Sequence, residues 1–136
     1  VDAVNGDDSF GGDTIGSAKK TIQAAIDTVS PGGTVRVLPG NYFETATNRF
    51  VTGAGGPHQF GLYIGTDKND ITVMGVTAAD VPITDPTAVA AFITTNATNN
   101  FGYSGVFVEG DGVTLQGLSF GDNQDFNNKT IEVDRR

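Results

Sequence analysis

The stretch Thr21-Ile22-Gln23-Ala24-Ala25-Ile26-Asp27 leads through Ser30-Pro31-Gly32-Gly33 into Thr34-Val35-Arg36-Val37-Leu38-Pro39-Gly40-Asn41-Tyr42. Ile22, Ala25, Ile26 and Val29 recur at i, i+3, i+4 and i+7, which predicts a short amphipathic helix over about 21–29. Thr21 or Ser17 is placed to cap its first turn, and the Ser-Pro-Gly-Gly run ends it. Two helical turns do not stand alone in water. The helix must therefore lie on an apolar surface, and its expected role is to cap the first strand layer. Val35, Val37 and Tyr42 continue the apolar pattern as a strand, and Pro39-Gly40 forces a turn.

Working outward, the chain repeats itself. Gly61-Leu62-Tyr63-Ile64, a polar turn and Ile71-Thr72-Val73-Met74-Gly75-Val76 align with a second unit. That unit is Gly105-Val106-Phe107-Val108, Glu109-Gly110-Asp111-Gly112 and Val113-Thr114-Leu115-Gln116-Gly117-Leu118-Ser119-Phe120. Alternation puts Ile71, Val73, Val113 and Leu115 on one face, with Thr72 and Thr114 on the other. Stacked parallel strands would set the equivalent apolar residues on one another. Residues 90–95 and 129–133 read as further strands, and 78–89 as an insertion loop. Residues 44–60 carry the flexible Gly53-Ala54-Gly55-Gly56-Pro57 loop and the single histidine, His58.

The opening Val1-Asp2-Ala3-Val4-Asn5-Gly6-Asp7-Asp8, the TIQxAI helix and the GxTVxVxPGxY strand resemble the N-terminal cap of the pectin-lyase-like superfamily. The segments at 71–76 and 113–118 resemble its ITxxGxxI rungs. This resemblance covers most of the chain. It implies an all-β right-handed parallel β-helix, a solenoid with a short N-terminal capping α-helix. Residues 1–136 are expected to be a single domain, with a cap region at 1–43 and first coils at 44–136. The C-terminal end, after Ile131 and Val133, is expected to be uncapped, as in the N-terminal part of a longer protein. The superfamily includes pectate lyases, alginate lyases and epimerases, polygalacturonases, phage tailspikes and surface proteins without known activity, so the resemblance implies a fold more sharply than a reaction.

Composition narrows the function classes. The formal charge is −8, from 16 acidic against 8 basic residues, which excludes a nucleic-acid partner. There is no cysteine, hence no disulfide or thiolate metal site. No apolar run reaches membrane-spanning length. An acidic chain opening at Val1, without a signal sequence, fits a mature secreted or cell-surface protein.

Candidate chemistry is sparse. No complete catalytic constellation is legible, so no catalytic residue is assigned. Asp122-Asn123-Gln124-Asp125-Phe126-Asn127-Asn128 gathers hard oxygen ligands, and Asp122, Asp125 and Asn127 are the candidate Ca²⁺ ligands. A polar turn is the alternative reading of that run. His58 is a candidate for substrate contact near neutral pH. Among the aromatic residues, Phe101 and Tyr103, in a loop, are the expected sugar-binding pair, whereas Tyr42, Tyr63 and Phe107 lie in strand patterns and are expected in the core.

These readings imply a protein that binds or processes polysaccharide, of which this chain supplies no complete active site. If the whole protein is an enzyme, the resemblance implies a Ca²⁺-assisted polysaccharide lyase or epimerase. The alternative is a structural or adhesive module that self-associates, or docks to a partner or to the remainder of the same protein, through its open C-terminal rung.

Overall fold

The computed structural model describes residues 1–51, 53, 55–98 and 105–121. A 3-10 turn at Ile15–Ser17 precedes α1 (Ile22–Thr28). Strands β1 (Thr34–Val37), β2 (Gly40–Thr45), β3 (Thr47–Phe50), β4 (Pro57–Phe60), β5 (Leu62–Ile64) and β6 (Thr72–Gly75) follow. A second 3-10 turn, Pro86–Ala88, leads to β7 (Ala91–Asn96), β8 (Val106–Val108), β9 (Thr114–Gln116) and β10 (Leu118–Phe120).

The strands form four small sheets, ordered β1-β6-β9, β10-β7-β2, β5-β8 and β3-β4. The first three are parallel, whereas β3 and β4 run antiparallel, with Arg49 opposite His58. This corrects the expected all-β right-handed parallel β-helix. The described residues make a mixed α/β arrangement of several small sheets, and no solenoid is found among them. The physical reason lies in the segment around 44–60. Its first residues extend β2, and the rest folds back on itself as the β3–β4 pair, so strand succession is irregular. The expected uncapped rung at 129–133 lies outside the described residues.

Local expectations fare better. Thr21 caps α1, its Oγ1 accepting from the Ala24 N–H at 3.2 Å. Asp8 reinforces the same terminus, its Oδ1 accepting from the N–H groups of Lys20 and Thr21 at 2.9 and 2.8 Å. Ile22 and Ile26 are buried against Val35, Val37, Tyr42, Leu62 and Ile64. The two repeat units pair as their alignment requires, Thr72 with Thr114 and Val73 with Leu115. The 78–89 segment is more than a loop: Arg36 Nε and Nη2 reach the Asp80 carboxylate and carbonyl, both at 2.7 Å.

One buried acid ties α1 to the sheets. Glu44 on β2 is 3 % exposed, and its carboxylate accepts from the N–H groups of Ile22 at 2.6 Å and Gln23 at 3.3 Å. These are helix-terminal donors without intrahelical partners. Burial raises the Glu44 pKa above its ordinary 4.5, and the two N–H donors oppose that shift without cancelling it. The folded chain thus holds this proton more tightly than the unfolded chain. Its contribution to stability is fullest below pH 4.5 and is lost as pH rises through the folded pKa. In Glu44→Gln that loss is absent. The stability of Glu44→Gln relative to the parent should rise with pH above 4.5 and then level off, as read by denaturant unfolding across pH.

A second constraint is steric. A Cβ on Gly75 would stand 2.0 Å from the Gly117 carbonyl oxygen, a backbone atom that cannot step aside. Gly75→Ala is expected to destabilise by about 1–3 kcal/mol. Gly16→Ala, whose new Cβ would find its nearest neighbour at 4.0 Å, is the control. Equal unfolding midpoints for the two variants would contradict this account.

Candidate functional site

Strand parity builds the site. Leu62 and Ile64 of β5 point into the core, so Tyr63 between them points outward. β8 pairs in register, placing Phe107 beside Tyr63. Phe60, the last residue of β4, completes a cluster of half-buried rings. The Phe60 and Phe107 centroids are 4.4 Å apart with planes inclined by 15°. Tyr63 lies 6.2 Å from each, inclined by 17° to Phe60 and 3° to Phe107. Tyr63 also needs the glycine that follows its strand: a Cβ on Gly65 would meet its ring at 3.0 Å.

Charged groups frame these rings. The Arg49 guanidinium of β3 lies 5.5 Å from the Tyr63 ring centroid, within cation–π range. Its Nη2 and Nη1 donate to the two oxygens of Asp27 on α1, at 3.0 and 3.3 Å. Gln23, one turn earlier on α1, donates to the Tyr63 carbonyl at 3.0 Å and accepts from the Tyr63 N–H at 2.7 Å. The outer edge of β5 is thereby covered by an amide side chain, which protects it against pairing with a stray strand. Gln23 also donates to Asp27 at 2.9 Å. Lys68 Nζ donates to the carbonyls of Asp27 and Val29, at 2.9 and 2.8 Å. At the other side the Tyr63 hydroxyl donates to Glu109 in a short hydrogen bond. Burial first, then that bond and the carboxylates of Glu109 and Asp67, push the Tyr63 pKa up to about 12.

This geometry redistributes the residues expected to act. Tyr42 is buried in the core as expected, its hydroxyl donating to the Leu38 carbonyl at 2.7 Å. Tyr63 and Phe107 are not core residues. They stand on the outer face because period-two alternation opposes them to the buried Leu62 and Ile64. His58 lies in β4 rather than in a loop, half-buried and opposite Arg49. Phe101 and Tyr103 lie outside the described residues, as do Asp122, Asp125 and Asn127, the expected Ca²⁺ ligands. Among the described residues no group of three or more His, Cys, Asp or Glu side chains is arranged to hold a metal ion. No helix of the described residues is long and apolar enough to cross a membrane.

Asp27, Arg49 and Glu109 escaped the sequence reading because they converge from α1, β3 and the turn after β8. The pairing of Tyr63 with Phe107 was legible, since the two occupy the same position of the internal repeat. A separate cleft of about 440 Å³ lies between the 11–15 loop, α1 and β1. Lys19 and the Arg36–Asp80 pair line it, and neither His58 nor the three stacked rings take part in its lining. Compared with protein-family models, curated proteins and solved structures, the chain finds no match.

The Tyr63–Glu109 bond gives this site a titration signature. Glu109→Gln removes the negative charge and the carboxylate acceptor, while burial remains. The Tyr63 hydroxyl should then ionise at lower pH than in the parent, partway from about 12 toward 10. Alkaline difference absorbance in a Tyr42→Phe background, which removes the other tyrosine raised to about 12, reads this directly.

Proposed function

We propose that this chain binds polysaccharide, through the outer face formed by Phe60, Tyr63, Phe107 and Arg49. The supporting observation is the near-parallel set of three rings, held on strands and framed by polar groups. Aromatic surface takes the C–H faces of sugar rings, and the neighbouring carboxylates, amide and guanidinium take hydroxyl groups. Rings fixed by strand register lose little conformational freedom on binding. A secreted or cell-surface setting is part of the same reading.

The charge balance favours a neutral glycan over a polyuronate. Arg49 is engaged by Asp27, and Lys68 by two carbonyls. Glu109 and Asp67 add negative charge beside the rings. Among the described residues beside the rings both cations are thus engaged, and a polyanion would meet carboxylates there. This is a reading of binding and assigns no reaction.

Affinity electrophoresis through gels containing a neutral β-glucan or xylan, or a polyuronate, tests the proposal. Retardation by a neutral glycan is expected, weakened roughly tenfold or more by Phe107→Ala or Tyr63→Ala. Retardation by polyuronate alone would overturn the choice of ligand. Unchanged mobility in every gel would overturn the proposal itself.

A further inference from the structure

Among the described residues the three parallel sheets end on the same side, and there inward side chains are exposed. Val108 stacks on Ile64, Leu115 on Val73 and Phe120 on Ile93. The lower member of each pair is at most 1 % exposed, whereas Val108, Leu115 and Phe120 are 42, 41 and 37 % exposed. Val106, Val113 and Leu118, which stand beside them, are only partly buried. These are inward, core-type positions without an upper neighbour among the described residues. Each of β8, β9 and β10 is also the last strand of its sheet among the described residues.

Free edges in natural proteins are ordinarily blunted by charge, proline or a covering element. The sequences of these strands, Val-Phe-Val, Thr-Leu-Gln and Leu-Ser-Phe, carry neither charge nor proline. The opposite end of the core is closed by α1, through Ile22 and Ile26.

We infer that the β8–β9–β10 end is an interface, and that its occupant is a second copy of this chain. Two observations select that occupant. The strands of this end are uncharged although the chain carries a net −8, so two copies meet there with little like-charge repulsion. Among the described residues only one end of the core is open, so an end-to-end pair related by a two-fold axis is complete after two chains, and head-to-tail growth is blocked by α1. The pairing covers Val108, Leu115 and Phe120 of both copies, and it leaves the Phe60–Tyr63–Phe107 face on the sides of the pair.

Sedimentation equilibrium of the chain over a wide concentration range tests this directly, without relying on a variant. The expected result is a mass rising to that of two chains. Amide exchange across 106–120 should slow as concentration rises. Leu115→Asp and Phe120→Asp should each weaken the pair by roughly tenfold or more. Phe43→Asp, at a 77 % exposed position on the outer face of β2, should leave it unchanged. The mass of one chain at every concentration would overturn the inference. Protection of 106–120 that does not depend on concentration would overturn it too, because the chain would then be covering its own end. A mass that continues to rise beyond two chains would overturn the two-fold pairing.

Discussion

Parallel pairing gives an inward side chain no choice of neighbour: it must sit on the side chain at the same register in the next strand. The rest of this molecule depends on that constraint. Val35 lies beneath Val73, Tyr42 beneath Ile93 and Leu62 beneath Val106, each fixed by strand register. The strands are only three to six residues long, too short to hold their pairing by backbone hydrogen bonds alone. Apolar stacking and burial supply the remainder. α1 finishes one end of this core with Ile22 and Ile26, and Glu44 fixes the angle of approach by accepting from the first N–H groups of the helix.

The same parity that fills the core also furnishes the outer face. A strand that buries Leu62 and Ile64 must present Tyr63, and its partner in register presents Phe107. What turns two rings into a site is the arrival of elements distant in sequence. β4 brings Phe60, β3 brings Arg49, and α1 brings Asp27 and Gln23. The antiparallel β3–β4 pair, which breaks the regularity of the fold, is therefore also what delivers the cationic part of the site.

Regular local patterns were legible in the sequence, and their long-range assembly was not. The i, i+3, i+4, i+7 spacing located α1, and the internal repeat located β5, β6, β8, β9 and β10 with the pairing of Val73 and Leu115. Residues 47–60 were opaque because Thr-Asn-Arg-Phe and Pro-His-Gln-Phe carry little apolar alternation, and their pairing to each other stabilises them as strands. The resemblance to a regular solenoid passed over that insertion, and so overstated the uniformity of the whole. Tyr63 was misplaced for a different reason. An aromatic flanked by apolar residues looks like core by composition, and only the strict period of two shows that it faces outward. Asp27 gave no local signal, because its importance comes from Arg49 and Gln23.

Gln23 and Asp27 stand one turn apart on α1, so the helix that closes the core is also one wall of the aromatic face. In a helix of seven residues, end fraying reaches every position. Loosening of α1 would release the Tyr63 edge and the Arg49 guanidinium together. The order of the outer face and the closure of the core thus belong to one cooperative unit, and a substitution deep beneath α1 would be felt at the surface as a less well organised set of rings.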